Sequence, residues 1–262
     1  MLKISFSLQV RGKAVLYLAC LIYMLCLLND MNENIPLAIG KQSSGEAFIV
    51  NICALPNLFI TYSNDFQLQG IFISFIQRLH QHDPALQFAL SLSSLIAEQV
   101  KPCVQTDAIF IEFLHNDVIG GKINSVEEFI TALKSEMIKR QALLRKTADN
   151  SLRLPSLIVF IDDIFEVLKS KHKKTVLAFI ELLIGAVNCK MYFILGSSGI
   201  YRNLLNQVIN LNPALQEKLQ RPGNTAQITQ PLGAELVINP DGLLFFREKG
   251  RQIHTRLYPE SV

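Results

Sequence analysis

The chain has 262 residues, of which 50% are hydrophobic and 18% are charged, and its formal net charge is +3. Such a chain can bury a full core, and its charge content is too low for a disordered protein. The small net charge gives no electrostatic argument for nucleic-acid binding.

The five cysteines are scattered along the chain and form no C-x-x-C pair. An odd number of dispersed cysteines argues against a disulfide framework, and the absence of ligand spacing argues against a zinc site. The sequence therefore predicts no metal centre and favours a reducing compartment, which makes the cytoplasm the expected location.

The N-terminal region (residues 1–31) contains an uninterrupted apolar segment of fifteen residues, 14–28, behind Lys3, Arg11 and Lys13. This is shorter than the roughly twenty residues that a spanning helix needs. No small-x-small cleavage site follows, so an inner-membrane anchor is favoured over a removed signal peptide. The alternative is that translation begins at Met31 and that the segment is not part of the protein.

From residue 32 to residue 259, short apolar runs alternate with amphipathic ones. The runs predict buried strands at 48–52, 58–61, 86–90, 109–113, 157–161 and 191–195, and helices at 66–81, 126–145 and 174–187. Alternating strands and helices indicate one α/β domain with a mostly parallel sheet and helices on both faces. Towards the C-terminus, two apolar runs flank Asn239-Pro-Asp-Gly242, which predicts an antiparallel β-hairpin.

Five segments in chain order resemble the motor domain of FtsK/SpoIIIE-type DNA translocases. They lie at 35–46, 54–60, 136–140, 154–163 and 234–245. The resemblance implies a RecA-like P-loop NTPase fold that assembles into rings around double-stranded DNA, with itself or related subunits as partners. A second branch of the superfamily powers type VII secretion, where extra copies of the domain are often degenerate.

The expected phosphate-binding loop falls on residues 62–69, where the pattern G-x-x-x-x-G-K-[ST] is lost. Tyr62 and Gln67 replace the glycines that let backbone N–H groups surround phosphate, and Leu68 replaces the lysine. Ser63, Asn64 and Gln69 are the remaining candidates for nucleotide contacts in this degenerate loop. We expect no cofactor, and ATP with magnesium only if this loop still binds.

Asp162 and Asp163 end a predicted apolar strand, as Walker B acids do. Such a pair orients a magnesium ion and polarises the attacking water. The alternative is that these aspartates cap the helix that begins near Ile164. Ser197 and Ser198 stand where the family has a polar sensor followed by arginine, which makes ATP hydrolysis an unexpected activity for this chain.

The densest basic run is 169–174, in which Lys171, Lys173 and Lys174 are candidate contacts to DNA phosphates. The alternative is a solvated loop followed by a helix start.

Three functions remain compatible with the sequence. The first is a pseudo-ATPase that serves as an accessory or assembly subunit of a ring-shaped motor. The second is a residual ATP- and DNA-binding translocase. The third is a degenerate ATPase module of a type VII-like secretion system, with a structural role.

Overall fold

The structure is a computed structural model of the whole chain. It describes residues 34–55, 57–62, 65–92, 96, 99–100, 111–114, 125–146, 154–197, 205, 233–239, 243–248 and 251–256. The chain divides into the units Met1–Asn34 and Ile35–Val262, and the architecture below is that of the second unit.

The described strands form one ten-stranded mixed sheet. The strands are β1 (Pro36–Lys41), β2 (Ala47–Asn51), β3 (Asn57–Thr61), β4 (Gln87–Leu92), β5 (Ile111–Leu114), β6 (Leu157–Ile161), β7 (Met191–Ser197), β8 (Ala234–Ile238), β9 (Leu243–Glu248) and β10 (Arg251–Arg256). Their spatial order is β2-β1-β10-β9-β8-β3-β7-β6-β4-β5. Strands β8 to β5 in this order run parallel to one another, whereas β9, β10, β1 and β2 continue the sheet in antiparallel fashion.

Four described helices cover the sheet: α1 (Asp65–His82), α2 (Val126–Lys146), α3 (Ile164–Leu168) and α4 (Lys173–Gly185). Helix α1 packs on one face, where Phe72 meets Phe160 of β6 edge-on with ring centroids 5.3 Å apart. Helices α2, α3 and α4 share a second core with Phe59 and Phe193 on the opposite face. Helices on both faces of the parallel strands confirm the predicted α/β class.

The buried strands of the parallel part follow the sequence prediction closely. All five residues of β6 are buried, as are all seven of β7. A strand covered on both faces has no polar side, which is why its apolar run is continuous. The hairpin of β8 and β9 is also present, while its predicted turn residues, Pro240 and Gly242, lie outside the described residues.

Two strands were not predicted. Strand β10 pairs with β9 over its whole length, and β1 joins β10 to β2. Strand β10 (RQIHTR) is mostly polar, and Gln252 and His254 in it are exposed. Backbone hydrogen bonds to a neighbouring strand can hold a strand whose solvent-exposed face is polar. The hydrophobic periodicity of the sequence alone therefore does not predict such a strand.

No helix in the described part of the chain is long and apolar enough to cross a membrane. The apolar segment 14–28, with which the sequence predicts an anchor, lies outside the described residues.

Candidate nucleotide site

The candidate site lies at the carboxyl ends of β3, β6 and β7. From β3 the chain passes through α1 to β4 on one side, and it later returns to β8 on the other side. The end of β3 is therefore a topological switch point, where ligands of open parallel sheets bind. Residues 62–69 and the Asp162–Asp163 pair both follow strands that end at this edge.

The connection between β3 and α1 is short. Strand β3 ends at Thr61 and helix α1 begins at Asp65, so only residues 62–64 join them. The last five of the eight positions of the expected phosphate loop therefore lie in the helix. Because Gln69 is the fifth residue of α1, its N–H is positioned to donate to a carbonyl oxygen within the helix. This N–H is therefore not available to bind a phosphate group.

Two bulky side chains lie at this edge of the sheet. Leu68, in the lysine position, is only 2% exposed, and its Cδ2 lies 3.1 Å from where a Cβ on Gly196 of β7 would stand. Tyr62 is 6% exposed, and its hydroxyl donates to the Asp162 carbonyl oxygen over 3.4 Å. The Tyr62 N–H donates to the Ser197 carbonyl oxygen over 3.2 Å, which continues the β3–β7 pairing beyond the strand.

Gly196 marks a close backbone approach that the sequence analysis missed. A Cβ at this position would stand 2.2 Å from the Asp162 carbonyl oxygen, closer than any real side chain. Gly196 therefore lets the end of β7 lie against the backbone that follows β6. The sequence placed Gly196 directly after the predicted strand 191–195, whereas the structure includes it in β7, where a glycine often indicates a neighbouring backbone.

Asp162 and Asp163 have different surroundings. The Asp162 N–H donates to the Ser91 carbonyl oxygen of β4 over 3.1 Å. Asp163 is the N-cap of α3, with extended backbone, and its Oδ1 accepts from the Phe165 N–H over 2.9 Å. Burial raises the pKa of Asp163 because desolvation disfavours the carboxylate, while the bond from Phe165 acts in the opposite direction. Asp163 thus has the capping geometry, and a Walker B role for the pair stays a prediction.

We expect Asp163→Ala to lower the free energy of unfolding by about 1 kcal/mol, because the α3 cap is lost.

Asp163→Asn keeps an acceptor for the Phe165 N–H. Since the folded-state pKa is raised above 3.8, the folded protein binds the proton more tightly than the unfolded chain does. The window for this effect begins at pH 3.8, the ordinary aspartate pKa, and ends at the raised folded-state pKa. As pH rises through this window, the free energy of unfolding of wild type should therefore fall relative to that of Asp163→Asn. Urea unfolding between pH 4 and pH 7 measures the difference, and a wild-type gain on raising the pH would contradict it.

The structure describes only some of the other predicted site residues. Gln69 is buried on α1, and Ser63, Asn64 and Ser198 lie outside the described residues. Lys171, Lys173 and Lys174 are exposed, and the last two open α4, whose first turn has no acidic residue. Within the described ranges, no three His, Cys, Asp or Glu side chains are grouped as metal ligands.

Arg140 has a role that the sequence pattern does not reveal. In the sequence, the basic end of the 126–145 helix suits the helix dipole, which needs no buried charge. Arg140 is instead 1% exposed and donates to the Pro155 carbonyl oxygen over 2.7 Å and to Gln87 Oε1 over 2.6 Å. The Arg140 guanidinium lies at the amino ends of β4 and β6, where buried carbonyl groups require hydrogen-bond donors. It therefore holds α2 to the sheet.

No family model matches the sequence, and no curated protein matches it. Solved structures do match. EccC (ATPases 2 and 3) from Thermomonospora curvata, in complex with a signal sequence peptide, is 14% identical with a TM-score of 0.56 over 88% of this chain and 42% of that one. EssC (ATPases 2 and 3) from Geobacillus thermodenitrificans is 14% identical with a TM-score of 0.55 over 87% and 44%.

The pCW3 conjugation coupling protein TcpA, in a monomer form with ATPγS, is 12% identical with a TM-score of 0.51 over 87% of this chain and 66% of that one. The chain spans less than half the length of the matched EccC and EssC chains. At these identities the likeness concerns the fold, which is that of the RecA-like P-loop ATPases.

Proposed function

We propose that the chain is a pseudo-ATPase of the FtsK/SpoIIIE type that serves as an accessory or assembly subunit of a ring-shaped motor. One observation carries the proposal: Leu68 and Tyr62 are buried at the carboxyl edge where an ATPase of this fold holds the phosphates. A protein that keeps the ATPase fold but fills the phosphate site with side chains can still bind partner subunits through its surfaces, although it does not hydrolyse ATP.

Magnesium–ATP does not fit the residues at this edge. A triphosphate needs a cation and several free N–H groups to offset its charge. Here the lysine position carries a buried aliphatic side chain, and the β3–α1 connection has three residues. Displacing Leu68 and Tyr62 would break the packing against Gly196 and the bond to Asp162. We therefore propose no hydrolytic step for this chain.

A second candidate is a degenerate module of a secretion-type ATPase. It is favoured because EccC and EssC, both described as containing ATPases 2 and 3, match this chain over less than half of their length. This candidate differs from the first in the partner and agrees with it on the absence of ATP turnover.

The test is a thermal unfolding assay of the full chain with 5 mM Mg-ATP or Mg-ATPγS. We expect no saturable rise in the melting temperature, since nothing at the site favours the folded state over the unfolded state with this ligand. Sodium tripolyphosphate at matched ionic strength controls for a general salt effect. Saturable stabilisation by about 2 kcal/mol or more with either nucleotide, absent with tripolyphosphate, would favour the residual translocase and overturn the proposal.

A further inference from the structure

The last two turns of α2, residues 138–145, carry an exposed apolar cluster, and we call them the α2 tip. Four large hydrophobic side chains are exposed in the described part of the chain, and Ile138, Leu143 and Leu144 are three of them. Their exposed fractions are 56%, 42% and 36%. An isolated exposed leucine needs no explanation, whereas a cluster of apolar side chains on the surface marks a site of interaction.

Leu144 shows that this end of the helix extends past the body of the domain. It follows Met137 by seven positions, so the two side chains lie on the same side of α2. Met137 is 8% exposed and packs in the core that α2, α3 and α4 share. Leu144 continues this core-facing side of the helix and is nevertheless exposed, so the tip has apolar surface on the side that the rest of α2 buries.

The exposed charges of the α2 tip are all positive. Residues 137–148 contain four basic residues and no acidic one. Arg140 is buried, whereas Arg145 is exposed and the Lys139 side chain is 69% exposed. Lys139 Nζ lies 3.8 Å from Glu136 Oε2, but that carboxylate also binds Arg140 Nε at 3.0 Å, so one negative charge serves two cations. The tip therefore favours a partner that is anionic at its surface and apolar beneath it.

The three apolar side chains do not form one stripe. Since a helix turns by about 100° per residue, Ile138, Leu143 and Leu144 lie about 100 to 140° apart around the helix axis. A helix or strand of another protein would cover one side of the tip and leave at least one of these side chains in water. A fluid lipid layer surrounds an inserted helix end and needs no matching shape. The geometry therefore favours a bilayer over an acidic protein as the partner.

We propose that the α2 tip inserts into the headgroup region of an anionic lipid bilayer. Ile138, Leu143 and Leu144 would lie below the lipid phosphates, and Lys139 and Arg145 would extend their charged ends to the anionic headgroups. A bilayer as the partner agrees with the predicted anchor in residues 14–28, which would hold the domain near the lipid. The contact does not involve the nucleotide site and does not rest on the proposed pseudo-ATPase role.

The contact should be weak on its own. The three side chains together offer no more apolar carbon than one myristoyl chain, which by itself gives only marginal and reversible membrane binding. The attraction of Lys139 and Arg145 to anionic lipid is screened by salt, because the Debye length falls from about 8 Å at 0.15 M to about 3 Å at 1 M. We therefore expect the tip to orient a domain that is already at the membrane, and to leave the lipid at high salt.

The test uses tryptophan fluorescence, because the chain contains no tryptophan and one introduced residue is then the only indole. The full-length Ile138→Trp and Ile49→Trp variants are reconstituted into phosphatidylcholine vesicles with or without about 30% phosphatidylserine. Ile49 of β2 is the matched position, since it is 55% exposed against 56% for Ile138. With brominated phosphatidylcholine in the anionic vesicles, Ile138→Trp should be quenched about twofold more than Ile49→Trp, because bromine quenches only an indole within the lipid layer. This excess quenching should fall without phosphatidylserine or in about 1 M salt.

Charge reversal tests the role of the cations. Lys139→Glu with Arg145→Glu, introduced into the Ile138→Trp chain, should remove the excess quenching, because two attractive charges become repulsive. Lys41→Glu with Lys169→Glu is the matched control, since it changes the net charge equally at exposed residues of other segments, and it should keep the excess. Far-ultraviolet circular dichroism checks that the variants fold.

The proposal is overturned if Ile138→Trp is quenched no more than Ile49→Trp in the anionic vesicles, in which case an acidic protein would remain as the partner of the tip. It is also overturned if the excess quenching persists after reversal of Lys139 and Arg145, or if reversal of Lys41 and Lys169 removes it equally.

Discussion

Replacing Arg140 with methionine is expected to lower the free energy of unfolding by about 3 to 5 kcal/mol, the range for removing one partner of a buried charged network. Methionine keeps most of the length and the apolar stem of arginine, so the loss reports on the guanidinium. For a domain of this size the melting temperature should fall by about 6 to 20 °C.

The expected loss follows from the number of groups that one guanidinium serves. Its Nε donates to Glu136 Oε1 over 3.0 Å, and Nη2 donates to Gln87 Oε1 over 2.6 Å. Its Nη1 donates to the Pro155 carbonyl oxygen over 2.7 Å and lies 3.5 Å from the Lys190 carbonyl oxygen. Without the guanidinium, acceptors from four parts of the chain would lose a donor in a place that water reaches poorly.

Lys139→Met is the matched control, because the Lys139 side chain is 69% exposed and lies 3.8 Å from the same Glu136. We expect it to change stability by less than about 0.5 kcal/mol, as exposed pairs contribute little. Arg140→Lys should fall between the two, since an ammonium cannot span the carboxylate, the amide and the carbonyl at once. Urea unfolding measures all three variants. A loss below about 1 kcal/mol for Arg140→Met would show that the network is not stabilising.

The parallel core could be predicted from the sequence because its strands have no polar face. The predicted strand 157–161 coincides with β6, and the predicted helix 126–145 coincides with α2 to within one residue. Arg140 could not be placed in the same way. Its neighbours Lys139 and Gln141 continue a polar pattern, and the carbonyl groups that hold it come from residues 15 and 50 positions away. Burial of a charge depends on those distant acceptors, which local periodicity does not encode.

The sequence predicted the lost phosphate-loop residues and the position of the helix that follows them, but not the side-chain packing at the candidate site. The missing glycines and lysine are visible in residues 62–69, and they led to the expectation of a degenerate loop. The start of α1 at Asp65 lies within one residue of the predicted helix 66–81, so the sequence did predict that the helix overlaps the expected phosphate loop. The packing of Leu68 at Gly196 depends on a contact between elements more than 100 residues apart.

Gly196→Ala should be among the most destabilising single substitutions in the described part of the chain, with a loss of about 3 kcal/mol or more. The added Cβ would stand 2.2 Å from the Asp162 carbonyl oxygen and 3.0 Å from its carbonyl carbon. These atoms belong to the backbone, which is held by the Asp162 N–H bond to Ser91 and cannot turn away as a side chain would. Relief requires β7 to move from the end of β6, which disturbs the buried pairing of both strands.

Gly185→Ala provides the comparison, because the same methyl group is added at the end of α4 with only Met137 Sδ nearby, at 3.8 Å. There the change should be neutral or stabilise the protein by up to about 1 kcal/mol, since alanine favours the helix. Urea unfolding of the two variants at one pH separates the steric effect from the general effect of replacing glycine. If Gly196→Ala were as stable as Gly185→Ala, the close approach of β7 to Asp162, and with it the filled site, would be wrong. A large loss for Gly196→Ala alone would support the close approach of β7 to the Asp162 backbone and to Leu68.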